Sequence, residues 1–294
     1  MGLRIGVLAT RYLWAGAVDE NSLGTVRSYP PPGEADRIDL KSLHPDEMIA
    51  KIRELIAAVR EGAAVDSVGA GIPGVVRNGV IEESPNLGQL KGLPIAARLG
   101  EALKADGIDV PVIALNDADA LAAGIASTRG AMEKLVRVWY LGDGIGFGRY
   151  PRGEGVWEGG HSVVSLDPKE RFCGCGGEGH LEGIMGNRAI RLRFLDLEPE
   201  EVFVAARHDD ARATAFVRLW HRALAAATAT NVHMDGPGRF YLAGPNTDYI
   251  DGGLLSMYLQ EMVKMSPLQG SLFEIVPNSH DLALIGAAVC GAIR

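Results

Sequence analysis

His161-Ser-Val-Val-Ser-Leu-Asp-Pro-Lys-Glu-Arg-Phe-Cys173-Gly-Cys175-Gly-Gly-Glu-Gly-His180-Leu-Glu182 holds two of the three cysteines of this 294-residue chain, flanked by two histidines. Thiolates one residue apart face a single ion only across a tight turn, and the surrounding glycines supply that turn. His161, Cys173, Cys175 and His180 then offer four soft-to-borderline donors, the number and type that suit tetrahedral zinc. The alternative is a Gly-rich surface turn with two idle thiols. Spacing, glycines and two nearby imidazoles together favour the metal.

Composition bounds what surrounds this knuckle. A hydrophobic content of 47% over 294 residues is ample for one large core or two modest ones, and two lobes are expected. The formal net charge of -8 argues against a nucleic-acid surface, which needs a basic face to displace counterions. No Lys/Arg run or helix-turn-helix precedes the first strand. Three cysteines make no disulfide framework, and no charged-then-apolar leader opens the chain, so a reducing cytoplasm is expected. No apolar stretch approaches the roughly 20 residues that span a bilayer.

The 38 glycines cluster after apolar runs. Leu3–Leu8 reads as a strand, with Ala15–Val18 as its hairpin return, and Tyr29–Gly33 as a proline-rich loop. Met48, Ile49, Ile52, Leu55, Ile56 and Val59 repeat at helical spacing, and Gly62 follows where a stop belongs. Ser67–Ile72 and Val112–Leu115 read as buried strands, the second entering a helix from Ala118 to Arg129. Val136–Leu141 and Phe240–Ala243 are further strands, each running into glycine. Long helices are expected at Asp210–Val232, Gly252–Met265 and Asp281–Ile293. The order is α/β, with strands ending in Gly-rich turns, where open sheets place ligands. A coarse duplication, one strand-hairpin set opening at Leu3 and another at Val136, would give two similar sheets.

Seven segments in order resemble one family: Gly71-Ile-Pro-Gly-Val-Val76, Ser84-Pro-Asn-Leu-Gly88, Asn116-Asp-Ala118, Gly142-Asp-Gly-Ile-Gly146, Glu158-Gly-Gly-His161, Cys173 to Glu182, and Gly286-Ala-Ala288. These look like successive signatures of the ROK family, which holds sugar kinases and sugar-responsive repressors. The resemblance runs from about Ile5 to Ala292, and the Glu-x-x-His and Cys-x-Cys block is its specific part. It implies an α/β, actin-like, hexokinase-type (ribonuclease H-like) fold of two lobes. The lobes are expected at 1–116, joined by the last helix 281–294, and at 117–280, which carries the knuckle 161–182. The chain resembles the kinase branch, with no DNA-binding module, and a homodimer is implied. The motif-free helices Asp210–Val232 and Gly252–Met265 are candidate contact surfaces, or ordinary core.

Phosphoryl transfer to a sugar hydroxyl needs a base at the attacking oxygen, and Asp117 stands where a strand meets a helix. Its local alternative is a helix cap; the resemblance favours the base. Asn116 offers an amide that donates and accepts, which suits a sugar hydroxyl. Gly74, Glu158, His161 and Glu182 are implied as further sugar contacts. His161 would serve twice, one ring nitrogen on a structural zinc and the other toward sugar. At His180 the family has a third cysteine; imidazole still satisfies zinc but leaves the site less negative.

The nucleotide site departs further. The fold places an Asp and paired glycines after the first strand for hydrated magnesium and phosphate, whereas this chain has Leu8-Ala-Thr-Arg-Tyr12, with Thr10 as its hydroxyl. Gly142, Asp143, Gly144, Gly146 and Gly244 are the remaining nucleotide candidates, with Asp143 where the family shows Thr. A bare carboxylate beside phosphate repels it by about 4 kcal/mol at 4 Å and an effective dielectric near 20; an intervening Mg²⁺ reverses the sign. Two readings stay open: a MgATP-dependent kinase of a hexose or amino sugar, or a catalytically silent sugar-binding protein.

Overall fold

The computed structural model describes residues 2–31, 33–34, 40–153 and 155–292. The chain divides into two compact units. The first comprises Met1–Val136, Gly148–Val156 and Asn278–Arg294, and the second Arg137–Phe147 and Trp157–Pro277.

In the first unit, β1 (Leu3–Ala9), β2 (Leu13–Asp19), β3 (Ser22–Tyr29), β4 (Val65–Ile72) and β7 (Val112–Asn116) form a sheet in the order β3-β2-β1-β4-β7. β1 and β2 form the expected hairpin with Leu8 opposite Trp14, and β4 and β7 run parallel to β1 and β4 respectively. A small hairpin, β5 (Val75–Arg77) and β6 (Val80–Glu83), follows β4. The strand at Ser22–Tyr29 escapes the sequence reading because its residues are exposed or half-buried and show no apolar run. Of the expected loop Tyr29–Gly33, Tyr29 ends this strand and Pro32 lies outside the described residues.

The helices of this unit are α1 (Pro45–Arg60), α2 (Ile95–Ala105), α3 (Asp117–Thr128) and the last helix, α9 (Ser279–Ala292). The α1 periodicity buries the six expected residues, from Met48 to Val59. A capping box between His44 and Glu47 starts it, and Glu61 in the left-handed region ends it. α3 and α9 cross at glycines: a Cβ on Gly124 would lie 1.8 Å from Leu282 O, and one on Gly286 1.8 Å from Ala120 O. Backbones this close admit no side chain. α3 thus belongs to the first unit, where the expected boundary at 116/117 had assigned it to the second lobe.

In the second unit, β8 (Val136–Leu141), β9 (Ile145–Tyr150), β10 (Arg239–Ala243) and β11 (Leu272–Ile275) lie in the order β11-β10-β8-β9. Its helices are α4 (Glu182–Met185), α5 (Asn187–Arg193), α6 (Pro199–Arg207), α7 (Ala211–Asp235) and α8 (Gly252–Met262). Trp139 and Trp220 are fully buried in its core, and each satisfies its indole N–H, on Thr228 Oγ1 and Met185 O, both at 3.1 Å. α8 stops before Met265 because Val263 is extended and the chain enters a 3-10 turn at Ser266-Pro267. Ile293, expected to close the last helix, lies outside the described residues. Among the described residues no helix is long and apolar enough to cross a membrane.

Candidate active site and metal centre

β7 runs directly into α3, and Asn116, extended at φ −64° and ψ 144°, caps the helix. Its Oδ1 accepts from Ala118 N at 2.8 Å and Asp119 N at 3.3 Å, and its Nδ2 donates to Gly74 O at 2.9 Å. The cap is therefore Asn116 and not Asp117. These bonds leave one Nδ2 hydrogen of the Asn116 amide, which can still donate to a sugar hydroxyl. Asp117 is the first helical residue, half-buried, and its Oδ1 accepts from Ala118 N at 3.0 Å. The helix dipole favours a carboxylate there. Gly74, at φ +111°, could carry no Cβ, which would lie 2.2 Å from Glu83 O. Ser84 Oγ closes the same loop by donating to Pro73 O at 2.7 Å. The first unit thus brings Gly74, Asn116 and Asp117 together.

The second unit gathers the four predicted metal ligands. Cys173 Sγ lies 3.3 Å from Cys175 Sγ and 3.5 Å from His161 Nδ1, and His180 Nδ1 lies 3.2 Å from Cys175 Sγ and 3.4 Å from His161 Nδ1. All four donor atoms fall within 4.8 Å of one another. A tetrahedron with bonds of about 2.3 Å to sulfur and about 2.0–2.1 Å to nitrogen has edges of about 3.3–3.8 Å, so the set fits a zinc-sized ion closely. Gly177 N donates to Cys175 Sγ at 3.4 Å, and a Cβ on Gly177 would strike the His180 ring at 2.1 Å. Burial holds His180 below its ordinary pKa, with the His161 charge adding, which keeps the imidazole neutral as a metal requires. Burial pushes the Cys173 thiol the other way, up to about 12. A divalent cation at the centre of the four donors would override that sign, because the ligand is the thiolate.

Around this cluster lie the implied sugar contacts of the second unit. With Nδ1 of His161 turned to the cysteines, its Nε2 lies 3.9 Å from Glu158 Oε2. Glu158 is held above the ordinary carboxylate pKa, chiefly by desolvation and further by the charge of Glu182, while His161 opposes the shift. Glu182 faces two ways: Oε2 accepts from Ile145 N at 3.0 Å, and Oε1 lies 3.7 Å from Cys173 Sγ.

Ile145 opens β9 just after the turn Gly142-Asp143-Gly144. A Cβ on Gly144 would lie 2.7 Å from Glu182 Oε2. Asn246, 2% exposed, donates to Gly142 O at 3.2 Å and to Asn187 Oδ1 at 2.8 Å; Asn187 N also donates to Gly142 O, at 3.1 Å. The Asp143 side chain is 88% exposed, with Asn187 Nδ2 at 3.4 Å and Arg191 at 3.9 Å. Gly244, at φ +94°, packs against Leu141 O, and Gly146 lies within β9 rather than in the turn. Asn187 and Asn246 were missed from sequence; Asn187 directly follows Gly186 and Asn246 lies two residues after Gly244, each near an element start, the one signal that pointed to them. Across the β1–β2 turn of the first unit the picture differs. Leu8 is 1% exposed, Thr10 N donates to Tyr12 O at 3.0 Å, and no carboxylate occurs from Leu8 to Tyr12.

Comparison with known proteins covers the whole of this architecture. The chain is 28% identical over 264 residues to a glucokinase of Pyrobaculum calidifontis, covering 81% of this chain and 85% of that protein. It is 28% identical over 237 residues to an N-acetylmannosamine kinase of Haemophilus influenzae, covering 76% of each. Its fold matches the crystal structure of a ROK hexokinase from Thermus thermophilus with a TM-score of 0.78 at 22% identity, over 98% of this chain and 97% of that one. This is the actin-like sugar-kinase fold expected from the motifs. The ROK family profile matches residues 38–289. With most of its length inside that profile, the chain belongs to the ROK family.

Proposed function

We propose that this protein is an ATP-dependent sugar kinase acting on a hexose or an N-acetylated hexose, with Asp117 as general base. The observation that carries the reading is the division of labour where β7 meets α3. Asn116 caps the helix, and Asp117 stands half-buried at its first residue, where the helix dipole favours the ionised carboxylate that a base requires. The kinase names of the relatives support the same class. In the reaction Asp117 takes the proton of the attacking sugar hydroxyl as that oxygen bonds to the γ-phosphorus, while the bond to the β-phosphate oxygen breaks and ADP leaves. Gly74, Asn116, Glu158, His161 and Glu182 are assigned to sugar. Gly142, Asp143, Gly144, Gly146 and Gly244 are assigned to nucleotide, with Thr10 a further candidate. Mg²⁺ would neutralise developing phosphate charge, and Asp143 is the exposed carboxylate suited to hold it. His161, Cys173, Cys175 and His180 would hold a structural zinc, which orients His161 and takes no part in bond making. A homodimer in the cytoplasm completes the proposal, and light scattering of the purified protein checks the assembly.

A second reading, a sugar binder without turnover, is favoured by one observation: the end of β1 and the turn after it, from buried Leu8 to Tyr12, carry neither carboxylate nor glycine. Measuring ADP release with MgATP and glucose, mannose, N-acetylmannosamine or N-acetylglucosamine, beside calorimetric titration of each sugar, separates the two. Sugar-dependent ADP supports the kinase; sugar binding without ADP selects the silent binder.

A further inference from the structure

We propose that Arg193, at the end of α5, is a positioning residue for the Cys/His cluster, an inference that rests on the metal reading above. Its side chain is 18% exposed and forks onto Glu170, itself 12% exposed: Nη1 donates to Glu170 Oε1 at 3.0 Å and Nη2 to Oε2. Nη2 also donates to Gly183 O at 3.3 Å. The guanidinium lies over the Phe172 ring at 4.3 Å and near Phe216 at 5.5 Å. Phe172 immediately precedes Cys173, and Gly183 immediately follows Glu182. Glu170 also holds the far arm of the loop, because its carbonyl accepts from Gly179 N at 2.7 Å, next to His180. One guanidinium therefore touches the loop at Phe172, next to its first cysteine, and at Gly183, three residues after its last histidine.

A buried ion pair contributes little net stability, because desolvation offsets most of the attraction; what a two-pronged fork supplies is fixed geometry. The stacked aromatic face adds a second constraint that a lysine ammonium does not reproduce. The arrangement sets the separation of the two arms that carry Cys173 and His180, and through it the size of the four-donor cage.

The test compares wild type, Arg193→Gln, Arg193→Lys and Glu170→Gln by zinc competition against a chromophoric chelator, with thermal melts in excess chelator to read folding apart from metal. Removing a partner that orients metal ligands costs about 10- to 100-fold in affinity, and that loss is expected for all three variants, lysine included. The double variant Arg193→Gln/Glu170→Gln should be no weaker than either single one. Wild-type affinity in Glu170→Gln and Arg193→Lys overturns the positioning role, and if Arg193→Gln does not fold these two still decide it. A wild-type protein that binds no zinc overturns the metal reading itself, and this inference with it.

Discussion

The turn after β1 and the turn after β8 stand at equivalent places, each following the first strand of its sheet, yet they are built on opposite principles. The first is flanked and filled by side chains: Leu8, at the end of β1, is buried, and Tyr12 sets its ring edge-to-face on Trp14 at 6.0 Å. The second, Gly142-Asp143-Gly144, is nearly all backbone, tied down by Asn187 and Asn246 with its single carboxylate in solvent. A solvent-exposed carboxylate on a backbone turn is what a metal-bound phosphate needs; an apolar side chain packed in a core is what a fold needs. If this chain handles nucleotide, the second turn has taken over work the family shares between two. Nor can one substitution restore the first, since a carboxylate at Leu8 would be buried without a partner at a cost of several kcal/mol.

The largest expected effect tests whether the second turn suffices. Asp117→Asn should lower kcat by about 10²- to 10⁴-fold, with sugar and nucleotide affinity nearly unchanged, since an amide keeps hydrogen bonds but takes no proton. Steady-state kinetics beside calorimetry reads both quantities, and near-normal turnover in the variant would remove Asp117 from the chemistry.

Metal removal should separate the two turns. Glu182 touches both Cys173 and Ile145 N, so stripping the cluster with chelator is expected to lower hydrogen-exchange protection at Ile145. Loss of one hydrogen bond corresponds to about 2- to 10-fold in protection. Amides from Leu8 to Tyr12 should not change. Equal loosening of both turns would show general destabilisation instead.

Asp143→Thr should weaken MgATP binding by about 2- to 5-fold, a small figure because solvent screens so exposed a charge. Tighter binding would mean that the carboxylate repels phosphate and does not hold its metal.

The smallest effect is on acid stability, with a different origin in each unit. His221 is fully buried in the second unit; Nδ1 donates to Val217 O at 2.8 Å and Nε2 accepts from Asp251 N at 2.9 Å, so a second proton would face a donor. Burial holds its pKa below 6.5, and burial does the same to His280 in the first unit, beside Trp14. The unfolded chain then binds more protons than the folded one, so stability is full above about pH 6.5 and falls as pH drops through that value. Denaturant midpoints from pH 7.5 to 5 should decline, and His221→Gln should flatten the decline more than His280→Gln.

Legibility followed sequence separation. The four candidate donors lie within 20 residues and their glycines dictate the turn, so which side chains gather there was readable; the strand-to-helix junction at Asn116-Asp117 is contiguous and was readable too. The partners of the second turn were not, because Asn187 lies 44 residues from Asp143, and Asn246 104 residues from Gly142. Nor was β3, whose pattern shows no buried face.

Residue chemistry and spacing by themselves determined the donor set, the Gly-rich turns, the strand-helix order and the family these together resemble, because each depends on contacts within a turn or along one element. Only the tertiary structure decided that Asn116 rather than Asp117 caps α3, that Glu182 reaches both Cys173 and the second turn, and that Arg193 contacts Glu170, Phe172 and Gly183. Those are choices among chemically equivalent partners. What selects between them is which backbone amide or carboxylate packing brings within about 3 Å, and that distance is a property of the folded chain.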